Sequence, residues 1–385
     1  MTRTAFLGAR IFDGEEWIED SALLVNDGVV EDIVAIGDIP HGVARHDFAG
    51  GMLVPGFIDL QVNGGGGVLL NEDRTLSGLR TICSAHYQYG TTALLPTLIT
   101  DTPAITAETV AAGKAAVEAQ LPGFLGLHLE GPHLSLARKG AHDPALIRPM
   151  NEEDLANLIA ARQALPNLLT TVAAETVKPE QIARLTEAGV VVSIGHSDAS
   201  MVQVEAAAKA GASMATHLFN AMSQIGNREP GVAGSVLSLG SMSAGLIADG
   251  IHVHPETIGI ALRAKTGPAH IFLVTDAMSL TGSDLQSFTL NGRVIHRANG
   301  ALRLEDGTLA GADLTMIDAI KYMRDVVGLS LEEALRMATL YPARSLGVAH
   351  RHGFLGQGSV ASFVHLSDAL KVNSTWIDGQ SVFAA

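Results

Sequence analysis

The sequence has 385 residues, of which 47% are hydrophobic and 17% charged, and a formal net charge of -15 at pH 7. This length suits a barrel with a small companion domain, and the apolar fraction is enough for a large buried core. The acidic charge and the absence of any run of Lys or Arg exclude a general nucleic-acid or anionic-membrane surface, because clustered cations hold such partners. An anionic small substrate remains compatible if a few cations are placed locally.

The chain carries one cysteine, Cys83, so no intramolecular disulfide can form, which is typical of a protein from a reducing compartment. The first residues, MTRTAFLGARIFDGEEWIED, are acidic where a signal peptide has an apolar core. No stretch approaches the roughly 20 apolar residues of a membrane helix. We therefore expect a cytoplasmic protein with no membrane partner.

Both ends of the chain contain short β-like runs. Near the start these are TAFLGARIF, EWIEDSALLV and GVVEDIVAIG, separated by Asp-Gly pairs that favour turns. The tail has the same character, with SVASFVHLS and STWIDGQSV. We predict that residues 1–54 and 349–385 together form one small β-sandwich domain.

Residues 55–348 alternate apolar runs with Ala-rich helical segments. The eight runs are PGFIDLQVN, TTALLPTLIT, FLGLHLEG, LLTTVAAE, VVVSIGHS, SMATHLFNAM, AGLIADGIHVH and IFLVTDAM. Between them, segments such as KPEQIARLTEAG place apolar residues at helical spacing, with a Gly after the last turn. Repeats of this kind predict an α/β fold, a (β/α)8 TIM-like barrel.

Polar side chains stand at the ends of several predicted barrel strands, where the loops of such a barrel converge. Glu130 ends the third run, His196 ends the fifth, and His217 lies in the sixth. One carboxylate and two imidazoles are typical of a catalytic zinc site, which leaves one coordination position open for water. We predict that these residues bind one divalent metal ion per subunit, with Zn²⁺ as the expected ion.

Other polar residues near the strand ends have more than one interpretation. His128 lies on the same strand face as Glu130, and we expect it to be a structural residue beside the metal, with His254 structural as well. Asp276 ends the eighth run and could cap a helix, but opposite a metal it has the chemistry of a general base, which we favour. Arg228 lies in a Gly- and Pro-rich loop, where an Arg is usually solvated but can also bind an anion.

Eleven segments of the sequence resemble, in the same order, the conserved motifs of one known enzyme family. They are PGFIDLQVNGGGG, LPTLIT, GLHLEGPHL, KGAHDP, SIGHSDA, ATHLFNAM, REPGVAG, IADGIHV, LVTDAM, GTLAGADLTM and RMATLYPAR. They resemble the amidohydrolase superfamily and, more closely, its N-acetylglucosamine-6-phosphate deacetylases. The resemblance runs from the first barrel strand to the end of the barrel, and HLFNAM with REPG and GTLAG is its most specific part.

The resemblance implies roles for individual residues. Glu130, His196 and His217 would bind the metal. Asp276 would be the catalytic acid and base, and His142 would stabilise the oxyanion. The residues implied to contact the substrate are Ala141, His142, Asn220, Ala221, Arg228, His252, Leu309, Ala310 and Gly311.

The implied activity is metal-dependent hydrolysis of N-acetyl-D-glucosamine 6-phosphate to D-glucosamine 6-phosphate and acetate, in amino-sugar metabolism. The resemblance also implies a homodimer, in which Arg228 or His252 reaches the phosphate from the neighbouring subunit. Deacetylation of the galactosamine 6-phosphate epimer needs the same contacts and stays open. A cyclic amidase of the dihydroorotase type is disfavoured, because the fourth run has no Lys. A non-catalytic scaffold is disfavoured, because the metal ligands and Asp276 are retained.

The chain departs from many amidohydrolases in its first strand. Where those carry His-x-His and hold two metals, this chain has Gln61 and Asn63. Neutral amides are poor zinc ligands beside imidazole and carboxylate. We predict that both residues line a one-metal site without binding the metal.

Overall fold

In the computed structural model, which describes residues 3–290, 292–298 and 300–385, the chain divides into two compact units. One comprises the described residues of Met1–Asp59 with His86–Ala93 and Met316–Ala385, and the other comprises Leu60–Ala85 and Leu94–Thr315. The limits predicted from the sequence, at 54/55 and 348/349, remain a proposal. Residues 1 and 2 of the predicted sandwich lie outside the described residues.

The unit that contains both chain ends holds two β-sheets in addition to the helices between Met316 and Leu346. Phe6 and Leu23 of one sheet share a buried apolar core with Ile11, Leu53 and Phe363 of the other. The four-stranded sheet has the order Val29–Ala35, Ser21–Asn26, Arg3–Leu7 and Ala44–Asp47. The six-stranded sheet has the order Gln380–Ala384, Val372–Ile377, Phe363–Leu366, Met52–Pro55, Arg10–Phe12 and Trp17–Ile18. A core shared by two packed sheets confirms the predicted β-sandwich.

Eight parallel strands form a nearly closed barrel, in which strands consecutive in sequence are neighbours in the sheet. Barrel strands 1 to 8 are Phe57–Val62, Thr91–Ile99, Leu127–Glu130, Leu168–Val172, Val191–Ile194, Met214–Ala215, Ser243–Leu246 and Ile271–Leu273. Strand 2 is buried along its whole length, as expected for a parallel strand covered on both faces. A parallel bridge between Val62 and Ala277 joins the first strand to the segment that follows the last. The predicted TIM-like barrel is confirmed.

Helices follow the strands, and capping residues mark the start of some of them. Thr102 precedes Pro103 and accepts a hydrogen bond from the N–H of Ile105, while Asn151 and Asp154 form a reciprocal capping box. The helices are Leu76–Tyr87, Pro103–Glu118, Glu152–Ala164, Pro179–Glu187, Met201–Lys209, Gly231–Ser238, Pro255–Ala264, Met316–Tyr322, Leu331–Ala338 and Leu340–Leu346. Short 3-10 turns span Ile36–Asp38 and Leu136–Arg138, and a π-helical turn spans Met323–Val327. Within the described ranges, no helix is both long enough and apolar enough to cross a bilayer.

Two small β elements lie in the loops at the carboxyl end of the barrel. A two-stranded hairpin, Gly64–Gly65 with Val68–Leu69, follows strand 1. An antiparallel meander follows strand 8, with strands Ser287–Leu290, Arg293–Ala298 and Ala301–Leu304. Its buried residues pack against Met278 and Leu280 of the loop after strand 8. The meander thereby forms an apolar cover beside the strand ends.

Candidate active site

A cavity of about 390 Å³ opens where the loops after the barrel strands meet. It is lined by thirteen residues that the sequence predicts for the site: Asn63, Glu130, Ala141, His142, His196, His217, Asn220, Ala221, His252, Asp276, Leu309, Ala310 and Gly311. Further lining residues, which were not predicted, include Arg138, Ile247, Met278, Leu290 and Thr308. Arg228 is exposed and is not among the lining residues, so the structure does not bring it into the site of its own chain.

The three predicted metal ligands meet at the buried end of this cavity. Nε2 of His217 lies 3.1 Å from Oε1 of Glu130 and 3.1 Å from Nε2 of His196. Nε2 of His196 lies 3.3 Å from the same carboxylate oxygen. His196 and His217 both adopt left-handed backbone, with φ of 46° and 32°, which aims the side chains away from the regular strand direction. Three donor atoms from three different strand ends therefore converge on one point.

The electrostatics of this cluster favour a positive charge. Burial would raise the pKa of Glu130, but hydrogen bonds from His196 and His217 outweigh it and hold the pKa well below its ordinary value. Burial would likewise lower the pKa of His217, but the hydrogen bond and charge of Glu130 and the charge of Asp276 raise it above its ordinary value. Two carboxylates thus stabilise a cation among the imidazoles.

Hydrogen bonds set the protonation of the two histidines nearest the cavity. Nδ1 of His196 donates to the carbonyl of Arg138 over 2.8 Å, which leaves Nε2 free to bind a metal. Nδ1 of His142 instead accepts from the backbone N–H of Thr100 over 3.3 Å and contacts its Oγ1 over 2.7 Å. Burial, and then the charge of His196, lower the pKa of His142 to about 3. A neutral His142 with an acceptor at Nδ1 carries its proton on Nε2, where it can donate.

Asp276 is buried beside two amides of strand 1. Asn63 Nδ2 donates to Asp276 Oδ1 over 2.7 Å, and Gln61 Nε2 lies 3.2 Å from the same oxygen and 3.2 Å from Glu130 Oε1. Burial and then the charge of Glu130 raise the pKa of Asp276, although His217 and the hydrogen bond from Asn63 act in the opposite direction. Its φ of 51° is left-handed, as at the two histidines. A raised pKa on a carboxylate in a cavity is typical of a general acid and base.

Polar groups at the strand 3 and strand 7 ends complete the cavity wall. Nδ1 of His252 lies 2.6 Å from Oδ2 of Asp249, so its other ring nitrogen is left for a ligand. Burial would raise the pKa of Asp249, but the hydrogen bond from His252 holds it below its ordinary value. Arg138 pairs with Asp198 over 2.8 Å, which places a cation on the cavity wall. Of these groups, Arg138 and the remaining ring nitrogen of His252 can contact an anionic part of a ligand.

The two histidines with predicted structural roles lie outside this constellation. Nε2 of His128 lies 2.7 Å from Thr171 Oγ1 inside the barrel, and burial lowers the pKa of His128 to about 4. His254 caps the helix Pro255–Ala264 by accepting from the N–H of Glu256 over 3.2 Å. Both side chains serve local structure here.

The donor set at the buried end fits a divalent cation. Ligand atoms of Glu130, His142 and His196 lie within 4.8 Å of one another, and His217 is still closer to two of them. Imidazole nitrogens 3.1 Å apart repel unless a proton or a metal ion lies between them. Because His142 carries its proton toward the cavity, Glu130, His196 and His217 are the better ligand set.

The family model described as "Amidohydrolase family" matches residues 52–382, and the one described as "NagA composite domain" matches residues 5–53. The chain belongs to the amidohydrolase family. Within this family it groups with the N-acetylhexosamine-6-phosphate deacetylases. It is 41% identical, over 98% of its length and 95% of the relative's, to an N-acetylgalactosamine-6-phosphate deacetylase from Shewanella sp. (strain ANA-3).

Solved structures of this amidohydrolase family agree with that grouping. An N-acetylglucosamine-6-phosphate deacetylase from Pasteurella multocida superposes with a TM-score of 0.95 at 34% identity, covering 100% of both chains. A point mutant of the Mycobacterium smegmatis N-acetyl-D-glucosamine-6-phosphate deacetylase, solved in complex with N-acetyl-D-glucosamine-6-phosphate, gives a TM-score of 0.91 at 31% identity with the same coverage. The fold of this chain therefore matches those of deacetylases across their whole length.

Proposed function

We propose that this amidohydrolase hydrolyses the acetamido group of an N-acetylhexosamine 6-phosphate and releases acetate. The observation that carries the proposal is the placement of Asp276 in the same cavity as the cluster of Glu130, His196 and His217. A general base opposite a metal-binding set is an arrangement that can hydrolyse an amide by activating water. The grouping with deacetylases supports the choice of an acetamido sugar.

The proposed ligands for one divalent metal ion, expected to be Zn²⁺, are Glu130, His196 and His217. When bound, the ion supplies Lewis acidity toward the amide carbonyl and water. Asp276 accepts the proton of the attacking water as the new C–O bond forms, and then delivers it to the amine nitrogen as the C–N bond breaks. His142 donates from Nε2 to the oxyanion that develops between these steps.

We propose N-acetyl-D-glucosamine 6-phosphate as the substrate, with the galactosamine epimer as a second candidate. The solved relatives act on the glucosamine sugar by their names and are 34% and 31% identical. The 41% identity to a relative named N-acetylgalactosamine-6-phosphate deacetylase supports the epimer as the second candidate. The proposed sugar contacts are Ala141, His142, Asn220, Ala221, Leu309, Ala310 and Gly311.

We propose that His252 and Arg228 bind the 6-phosphate in a homodimer, with Arg228 reaching the site from a second copy of the chain. The exposure of Arg228 and its absence from its own cavity support this arrangement. Arg suits phosphate because its planar fork of donors matches the phosphate oxygens. We retain the cytoplasm and amino-sugar metabolism as the expected setting.

The decisive experiment combines metal analysis with acetate release. Purified protein is assayed with N-acetylglucosamine 6-phosphate, the galactosamine epimer and unphosphorylated N-acetylglucosamine, and the metal content is measured in parallel. We expect about one metal per chain, turnover of at least one phosphorylated sugar, and weak activity without the phosphate. A protein that stays inert with all three sugars after Zn²⁺ is added overturns the proposal and favours a non-catalytic scaffold.

A further inference from the structure

We propose that Gln61 and Asn63 are positioning residues, which fix the side chain of Asp276 so that one oxygen is held and the other is free for proton transfer. The inference rests on the proposed function for its kinetic consequence. Its structural basis is independent of the substrate.

The two amides converge on one oxygen of the carboxylate. Oδ1 of Asp276 accepts hydrogen bonds from Asn63 Nδ2 over 2.7 Å and from Gln61 Nε2 over 3.2 Å. Within the described ranges, Oδ2 has no hydrogen-bond partner, although Asp276 lines the cavity. A carboxylate with one oxygen fixed by two donors keeps its second oxygen in a single direction. Asp276 therefore presents Oδ2 to the cavity.

The backbone explains why residues 61 and 63 can do this. Alternation along strand 1 places both side chains on the inner face, with Val62 between them pointing outward. The N–H of Asp276 donates to the carbonyl of Gln61 over 3.0 Å, and the N–H of Asn63 donates to the carbonyl of Ala277 over 2.8 Å. These bonds hold the side chains of Gln61 and Asn63 beside Asp276, where strand 1 adjoins the segment that follows strand 8.

The chemistry of the amides also suits the role. A carboxylate only accepts hydrogen bonds, so the side-chain nitrogen of Asn63 must face Asp276. The Oδ1 of Asn63 is accordingly buried without a partner among the described residues. An amide donates without carrying charge, so Asp276 stays a base. Lys or Arg would instead neutralise it, and His would compete for metal. Gln61 differs from Asn63 because it also contacts Glu130, a proposed metal ligand.

The test uses substitutions that remove the donor and keep the side-chain size, Asn63→Leu and Gln61→Met. For Asn63→Leu we expect kcat to fall about 10- to 100-fold with KM within about threefold, and Zn²⁺ affinity, measured by chelator competition, to stay within about twofold. For Gln61→Met we expect kcat to fall and Zn²⁺ affinity to weaken about tenfold, because its contact with Glu130 is lost. In an Asp276→Asn background, Asn63→Leu should add no further loss of rate.

Asn167→Leu is the matched control, since Asn167 is a half-buried amide just before strand 4 that donates to the carbonyl of Leu125 over 2.7 Å and does not line the cavity. It should lower the unfolding temperature without the drop in kcat. A crystal structure of Asn63→Leu should show the Asp276 carboxylate turned from its original rotamer.

The inference is overturned if Asn63→Leu keeps kcat within about twofold of wild type or leaves the Asp276 rotamer unchanged. It is also overturned if Asn63→Leu lowers the rate by the same factor in the Asp276→Asn background as in the wild type. A wild type that hydrolyses none of the sugars refutes the proposed function alone, since the rotamer and the Zn²⁺ affinity still test the inference.

Discussion

Substitution of Asp276 by Asn tests the assignment of the general base with little disturbance of the fold. The change is nearly isosteric, and an amide oxygen at this position can still accept from Asn63 Nδ2, which lies 2.7 Å from Oδ1 in the wild type. What is lost is an oxygen that can take a proton. Loss of a general base typically costs about 10²- to 10⁴-fold in rate, which corresponds to about 3–5 kcal/mol of transition-state stabilisation.

Folding and metal binding should survive the Asp276→Asn change. Burial and then Glu130 raise the pKa of Asp276, so the ionised carboxylate destabilises the folded state at neutral pH. Removing that charge should leave the unfolding temperature equal or higher. Asp276 is not one of the three proposed ligands, so metal content should also be retained.

The assay for Asp276→Asn is steady-state acetate release with metal analysis and thermal unfolding of the same sample. Asp101→Asn serves as the control, because Asp101 accepts from Asn71 and from the N–H of Thr102 away from the cavity. If Asp276→Asn turns over within about tenfold of wild type while retaining its metal, Asp276 is not the base.

Four further predictions follow from the site. Since the base must be ionised and the pKa of Asp276 is raised above the ordinary 3.8, log kcat/KM should fall as pH drops through that higher value, an acid limb that a pH-rate profile would locate. Mixing subunits that carry Arg228→Ala with subunits that carry Asp276→Asn should restore about a quarter of wild-type activity if Arg228 acts across a dimer, and none if it acts in its own chain. Removing the metal with a chelator should lower the unfolding temperature, because a metal present at 100 times its Kd adds about 2.7 kcal/mol to the free energy of unfolding. In Glu130→Gln the chelator should no longer change the unfolding temperature. In Gly64→Ala the new Cβ would lie 2.3 Å from the Val68 carbonyl oxygen, so urea unfolding should show a loss of about 1–3 kcal/mol, whereas Gly37→Ala, with nothing within 4 Å, should be neutral.

The barrel was predictable because its strands are almost entirely buried, so short segments rich in apolar residues recur along the chain between the helical segments. The run TTALLPTLIT became strand 2, Thr91–Ile99, with every residue buried. The meander after strand 8 was missed, although Asn-Gly pairs at 291–292 and 299–300 are a hairpin signal between alternating apolar residues. Its strands are partly exposed, so their apolar pattern is weaker than that of the barrel runs.

The position of a site residue was predictable where that residue ends a strand. It was less predictable where the residue lies in a loop that contacts another loop. Glu130 and His217 follow directly from strand ends, and the barrel geometry then brings them together. Thr100 was not predicted because its contact with His142 joins loops after two different strands, 42 residues apart. Arg138 was missed for the same reason, since its carbonyl contacts His196, which lies 58 positions later in the sequence. Individual roles stay predictions until they are measured.

The seam between strand 1 and the segment after strand 8 has a consequence for assembly. The hydrogen bonds that hold the Asp276 carboxylate join residues more than 200 positions apart in sequence. Gln61 and Asp276, for example, are 215 positions apart. A chain that has formed its first seven strands has every proposed metal ligand but no base in place. Hydrolysis can therefore begin only after the last strand has docked, so catalytic activity would report on completion of the barrel, while metal binding could precede it.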